Sequence, residues 1–221
     1  MDTFSLALLS DEGNRIPDEY DWFRPLLGDW YCDYYDEPVK GQKRHVRGEW
    51  KFRRILEGIG IQDIFIFPSR DTREVNPQPD GEYGTSLRVF NKSKCWYDVV
   101  YTCEGTMKRL TFTKENDKLV GKVLDEENTY WVFSDISDEG FHWEYIIKRG
   151  GETELVCEIF GARRTKSSFN APTIGRPVPA DEEFVYDKNG LICGTRKARK
   201  AGKNEKCKRG KENATEQAEE K

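Results

Sequence analysis

The sequence has little of what most enzyme and metal-site motifs need. Its 221 residues include two histidines, two methionines and six cysteines, and the cysteines form neither a C-x-x-C pair nor a zinc-ligand spacing. There is no G-x-S-x-G nucleophile motif and no Ser-His-Asp pattern. We therefore expect no metal and no cofactor, and the sequence leaves it uncertain whether the protein is an enzyme.

Long apolar runs are also missing. No segment has about 18 uninterrupted apolar residues, so no membrane span is predicted. The first ten residues have an early Asp2, no basic residue and too short an apolar stretch for a signal peptide. We therefore expect a cytoplasmic protein with reduced cysteines and no membrane partner.

Charged residues are plentiful, at 34%, but they are unevenly spread. From Arg196 to the end there are ten Lys or Arg against five Glu, so this segment has a charge of +5. Because the net charge of the whole chain is −4, the rest of the chain carries −9. Residues 194–221 have too few apolar side chains to fold, so they are predicted to form a disordered tail. Basic residues contact phosphates, but this tail lacks interleaved aromatics and gives little support to nucleic-acid binding.

Aromatic residues, at 13%, recur at every second position in several stretches. Residues 130–164 are predicted to be three consecutive antiparallel strands, with Trp143 and Tyr145 on one face. Residues 43–56 show the cleanest alternation of apolar and charged side chains. About ten such strands follow one another without a helix between them. The pattern predicts an all-β protein, an up-and-down antiparallel β-barrel of 8–10 strands.

The barrel is expected to be a single domain over residues 16–193, with an extended segment after residue 165. Residues 1–15 are predicted to be a flexible N-terminus. A short N-terminal helix is expected between Ile16 and Leu27, because Pro17 suits the first helical turn and Gly28 ends it.

Residues 26–30, Leu-Leu-Gly-Asp-Trp, resemble the Gly-x-Trp opening of lipocalin-like (calycin) barrels. Further segments resemble an uncharacterised lipocalin-like barrel family of bacteria and fungi: 84–90, 131–136, 141–143 and 158–164, together with Trp96. The resemblance covers roughly residues 28–164. It implies a ligand-holding barrel in which the Trp packs across one end, but most members have no assigned activity.

We predict that the barrel binds a small, largely apolar or aromatic molecule. The predicted ligand-binding residues are Trp30, Tyr34, Trp50, Phe52, Arg88, Arg109, Trp143, Tyr145 and Arg163. An inward arginine would favour a ligand carboxylate or phenolate, held as a bidentate partner. Two simpler readings stay open, namely an interior packed with aromatic side chains and arginines that lie outside on solvated faces.

One alternative function is a barrel enzyme of the isomerase, cyclase or hydratase type, acting on a small secondary metabolite. Its weak catalytic candidates are Asp63, Asp98 and Tyr97. Asp63 lies between apolar neighbours, where burial would raise the pKa of its carboxyl group. A second alternative is an interaction module that uses the basic tail. The sequence leaves open whether the protein forms a homodimer.

Haem binding is not expected. His45 and His142 alternate with Trp50 and Trp143, so the histidines point outwards if the tryptophans point inwards.

Overall fold

The computed structural model describes residues 2–9, 13–163, 182–186 and 192–197, the last two ranges as backbone alone. A short helix, α1 (Thr3–Leu8), opens the described chain, and the Asp2 carboxylate caps it by accepting from the Ser5 backbone N–H. Two 3-10 turns follow, at Asp18–Tyr20 and Arg24–Leu26.

Ten antiparallel strands then follow in order: β1 (Gly28–Val39), β2 (Gln42–Ile55), β3 (Gly60–Phe67), β4 (Glu82–Asn91), β5 (Trp96–Cys103), β6 (Thr106–Glu115), β7 (Lys118–Val123), β8 (Thr129–Ser134), β9 (Gly140–Arg149) and β10 (Glu152–Arg163). Each strand pairs with the next, and β1 also pairs with β10, so the sheet closes. The predicted all-β, up-and-down antiparallel barrel with a short N-terminal helix is confirmed, although the helix lies at Thr3–Leu8 and not between Ile16 and Leu27.

Two further strands, β11 (Glu182–Tyr186) and β12 (Ile192–Lys197), form a separate two-stranded antiparallel sheet. β12 runs beside β2. The first four residues of the predicted tail, 194–197, therefore lie in a strand rather than in a disordered segment. The rest of the predicted tail and most of the extended segment after residue 165 lie outside the described residues.

Side chains alternate between the interior and the outer wall along each barrel strand. Trp50 pairs across the sheet with Trp30 on β1 and Phe65 on β3, and all three point inwards and are buried. His45 and His142 have the opposite parity and lie on the outer wall, as predicted. Each ring pairs there with a carboxylate: His45 with Asp33 (Nε2–Oδ1 2.6 Å) and His142 with Glu158 (Nε2–Oε2 3.0 Å).

The segment before β1 closes one end of the barrel. Phe23 and Leu26 insert into the interior and are fully buried. The Trp30 indole N–H donates to the Leu26 carbonyl oxygen at 2.7 Å. The Arg163 guanidinium lies 3.9 Å from the centre of the Trp30 ring and also donates to the backbone oxygens of Leu27 and Pro25. The Trp of the Gly-x-Trp motif thus packs across one barrel end.

Gly28 is required at this closed end. Its φ is +129°, and a Cβ there would lie 2.4 Å from Nη1 of Arg163. The helix predicted between Ile16 and Leu27 is instead two separate turns, because Asp21 leaves helical geometry (φ −80°, ψ 49°) and ends the first one. The break lets Phe23 and Leu26 turn into the barrel.

Inward glycines give aromatic rings room along the wall. A Cβ on Gly121 would lie 2.3 Å from the Phe112 ring, and one on Gly161 would lie 2.2 Å from the Phe141 ring. Each glycine is the direct cross-strand partner of the ring that covers it. These rings therefore pack over the backbone of the neighbouring strand instead of pointing at the barrel axis.

Candidate ligand-binding site

The interior is sealed at the Phe23 end, and the exposure of the inward residues rises towards the other end. Inward rings nearest the sealed end have no exposed surface: Phe52, Phe112 and Phe133. Inward aromatic residues in the next layer are 5–7% exposed: Trp50, Phe65, Trp131 and Trp143. Because these side chains point into the barrel, the half of the interior beyond the sealed layer is the candidate binding site. We call it the open half.

Three tryptophans form a cluster in the open half. The Trp143 ring centre lies 5.8 Å from that of Trp50 and 5.5 Å from that of Trp131, with interplanar angles of 81° and 71°. These are edge-to-face contacts of the kind that aromatic rings prefer. The three indole N–H groups are buried and have no hydrogen-bond partner among the described residues. A buried donor without a partner costs about 1–3 kcal/mol, so the cluster stands out as a set of unused donors in an apolar wall.

Inward tyrosines surround the mouth of the open half, and each donates its hydroxyl hydrogen to a carboxylate. The pairs are Tyr34 with Asp36, Tyr101 with Glu82 and Tyr145 with Glu126. Burial, joined by the adjacent negative charges, raises the pKa of all three phenols. The hydroxyls are therefore neutral, and their hydrogens are already engaged.

Hydrogen-bonded charged groups lie around these tyrosines. They include the carboxylates of Asp36, Asp80, Glu82 and Glu126 and the cations of Arg44 and Lys108. Arg44 bonds to both Asp36 and Asp80, and its guanidinium also lies 5.4 Å from the Phe67 ring centre. A hydrogen bond from Lys108 lowers the pKa of the Glu126 carboxyl group. Both cations are thus paired within the mouth.

A buried ion pair lies at the sealed end. Arg88 on β4 donates to Asp63 on β3, which also accepts from the Ser86 backbone N–H at 3.1 Å. The guanidinium lies 5.1 Å from the Phe23 ring centre and 5.4 Å from that of Phe52. Arg88 therefore points inwards, but Asp63 already neutralises its charge.

Eight of the nine predicted binding residues fall into two groups. Four of them line the open half or its mouth: Tyr34, Trp50, Trp143 and Tyr145. Trp30, Phe52, Arg88 and Arg163 belong to the sealed end instead, as packing and closing residues.

Arg109 was predicted to lie inside the barrel or at its rim, and this is wrong. It pairs with Val100 on the face that points outwards, and its side chain is 60% exposed beside Asp125. On β6 the side chains that point inwards are those of Leu110 and Phe112. Arg109 alternates with them and therefore lies on the outer wall.

The three catalytic candidates do not face the open half. Asp63 is held by Arg88. The Tyr97 hydroxyl donates to the Tyr20 backbone oxygen at 2.7 Å and helps hold the segment that seals the barrel. Asp98 is exposed on the outer wall, where it accepts from the side chains of Asn91 and Trp96.

Sequence reasoning missed Trp131 and the mouth carboxylates. Trp131 and Phe133 alternate with Tyr130 and Val132, so both faces of that strand look apolar and parity alone does not select the inward one. Glu82 and Glu126 lie at a strand end and in a loop, and only the closed barrel brings them to the same rim.

A shallow groove of about 360 Å³ lies outside the barrel, on β4–β6. It is mostly apolar, and Met107 and Leu124 at its edge are more than half exposed. In the part of the chain that the structure describes, no group of three His, Cys, Asp or Glu side chains is placed to hold a metal ion. None of the described helices has the length and apolarity needed to cross a membrane.

Fold and site together define a ten-stranded antiparallel barrel with one sealed end and one aromatic-lined open end. No family model matches the chain, and neither does any curated protein sequence. Among solved structures, it is similar to the S-type phycobiliprotein lyase CPES from Guillardia theta, with 11% identity and a TM-score of 0.46 over 68% of this chain and 94% of that one. It is also similar to Rv2717c from M. tuberculosis, with 10% identity and a TM-score of 0.44 over 68% and 99%. At such values neither likeness says what this chain binds.

Proposed function

We propose that the protein binds a small, largely apolar molecule in the open half of the barrel. The observation that carries this proposal is the cluster of Trp50, Trp131 and Trp143. Their buried indole N–H groups lack partners among the described residues, and these residues are less completely buried than those of the sealed layer. Small-molecule sites combine apolar and aromatic walls with a few placed polar groups, and the cluster has this composition.

The ring placement supports the same proposal. In the open half, Tyr101 lies over the inward Gly84 of the neighbouring strand, where a Cβ would lie 2.5 Å from its hydroxyl oxygen, and so this ring covers the wall. The sealed end prevents passage through the barrel, so a molecule would enter and leave between the tyrosines of the mouth.

The enzyme alternative has no observation in its favour among the described residues, because none of its candidate groups faces the open half. Membership of the uncharacterised lipocalin-like family and a cytoplasmic location stay predictions.

Adjacent valines on β5 allow a matched test. Val99 points inwards at 5% exposure, whereas Val100 is its neighbour on the outer wall. Val99→Trp would fill the interior, and Val100→Trp would add the same ring outside. Wild type and both variants are screened by thermal shift against neutral aromatic compounds, beginning with 9-fluorenone, and by native mass spectrometry after rapid purification.

We expect wild type and Val100→Trp to be stabilised by the same compounds and to carry any co-purified molecule, and Val99→Trp to lose both signals. Near-ultraviolet circular dichroism checks that the variants fold. If Val99→Trp does not fold, Val99→Phe replaces it. Equal binding by the inward and outward variants would show that the interior is not the site.

A further inference from the structure

We infer that the molecule bound in the open half is uncharged and carries a hydrogen-bond acceptor, such as a ketone oxygen, that pairs with an indole N–H of the tryptophan cluster. This inference rests on the proposed function and narrows it to a class of ligand. It follows from two independent features, the donors inside and the charges at the mouth.

The unpaired polar groups of the tryptophan cluster are all hydrogen-bond donors. An indole has one N–H and no acceptor, and Trp50, Trp131 and Trp143 each present such a group without a partner among the described residues. The Tyr145 hydroxyl hydrogen is engaged by Glu126, so it does not compete for the same acceptor. A purely apolar ligand would leave all three indoles unpaired, whereas a carbonyl oxygen would satisfy at least one.

The charge distribution disfavours an anion. A carboxylate would have to pass the charged groups around the mouth tyrosines, which include four carboxylates, while Arg44 and Lys108 there are already paired. The two buried arginines of the described barrel are also neutralised: Arg44 pairs with Asp36 and Asp80, and Arg88 pairs with Asp63. A buried charge without a partner is strongly unfavourable, so the arrangement selects neutral molecules.

Four probes that share the three-ring fluorene skeleton test the acceptor and the charge separately. 9-Fluorenone has a ketone acceptor, and fluorene has the same rings without it. 9-Fluorenone-2-carboxamide and 9-fluorenone-2-carboxylate differ in charge but hardly in size. Affinities are measured by calorimetry and by quenching of tryptophan fluorescence, and the infrared C=O stretch of fluorenone reports hydrogen bonding directly.

Tryptophan-to-phenylalanine variants test the donors one at a time. Trp50→Phe, Trp131→Phe and Trp143→Phe each remove one N–H and keep an aromatic ring. Trp96→Phe is the control, because the Trp96 indole lies on the outer wall and donates to Asp98. Comparing fluorenone with fluorene in each variant cancels the change in ring size.

We expect at least one interior variant to weaken fluorenone binding about five- to tenfold relative to fluorene, as for the loss of one neutral hydrogen bond. In wild type the bound C=O stretch should shift to lower frequency, and that shift should be lost in the same variant. The carboxamide should bind more tightly than the carboxylate.

Two results would overturn the inference. One is an unchanged fluorenone-to-fluorene ratio in all three interior variants, and the other is a carboxylate that binds as well as the carboxamide. If fluorene binds wild type but not Val99→Trp, the proposed function stands even though the acceptor class is wrong. If none of the four probes binds, the inference fails, and the proposed function is judged by the co-purified molecule alone.

Discussion

The guanidinium of Arg88 and the carboxylate of Asp63 form an ion pair inside the barrel, where each side chain has 1% of its surface exposed. The residues belong to neighbouring strands, and Arg88 lies two residues along β4 from Ser86, the direct partner of Asp63, and so on the same face. The aromatic rings of Phe23 and Phe52 lie against the guanidinium. Removing one partner would therefore leave the other charged in an apolar layer.

Arg88→Met should lower the free energy of unfolding by about 3–5 kcal/mol, because it leaves the Asp63 carboxylate buried and unpaired. The double variant Arg88→Met with Asp63→Leu should recover much of that loss, since it removes both charges. Urea denaturation measures the three values. Arg109→Met, at an exposed ion pair on the outer wall, is the control and should change stability little. A double variant less stable than Arg88→Met would contradict the argument.

Arg163→Ala should destabilise the sealed end. The substitution removes the cation–π contact with Trp30 and the hydrogen bonds to the backbone oxygens of Leu27 and Pro25, a loss of about 2 kcal/mol. Arg163→Lys should restore little of it, because an ammonium lacks the planar fork that reaches several acceptors. Urea denaturation and hydrogen exchange at the Trp30 indole N–H measure the effect. Full recovery by lysine would show that charge alone matters at this position.

Glu49 should give the protein an acid-sensitive contribution to stability. Burial alone would raise the pKa of its carboxyl group, but hydrogen bonds from Arg70 (2.9–3.0 Å) and Lys51 hold the pKa at about 2. Because the folded pKa lies below the ordinary value of 4.5, the carboxylate stabilises the fold above pH 4.5. This contribution is lost as the pH falls from 4.5 towards 2.

The test compares wild type with Glu49→Gln by urea denaturation at several pH values. We expect wild type to be more stable by on the order of 2–3 kcal/mol at pH 6, and the difference to shrink towards zero near pH 2. A difference that stays constant over this range would mean that the Glu49 carboxylate is not the titrating group.

The cysteines should differ sharply in reactivity. Burial raises the pKa of the Cys157 thiol to about 12 and raises that of Cys32 as well, whereas Cys95 is exposed. At pH 8 only roughly one part in 10⁴ of a thiol with such a pKa is thiolate, the reactive form. A maleimide should therefore label Cys95 in the native protein, and Cys32 and Cys157 only after unfolding. Peptide mass spectrometry assigns each site, and rapid native labelling of Cys157 would refute the burial argument.

The sequence predicted the barrel well because period-two alternation is a local signal that survives in every strand. Trp50 and Trp143 were placed inside and His45 and His142 outside from parity alone, and the register confirms both. The sealed end was foreseen through Gly28 and Trp30, since the Gly-x-Trp motif is contiguous in sequence.

Features made by distant residues could not be read in this way. Nothing in the sequence pairs Arg88 with Asp63, which are 25 positions apart, or brings Glu82 and Glu126 to one rim. The unpartnered indoles are likewise visible only once all the neighbours of a ring are known. Arg109 is a different case, because local parity does place it outside: it alternates with the inward Leu110 and Phe112, and the prediction overlooked this signal.

Closure of the sheet also restricts how the barrel strands meet other chains. With β1 hydrogen-bonded to β10, none of the ten barrel strands is a free edge that another polypeptide could extend. Contacts with a partner through these strands must therefore be made by outward side chains, such as those of Leu87, Val100 and Met107, which line the outer groove.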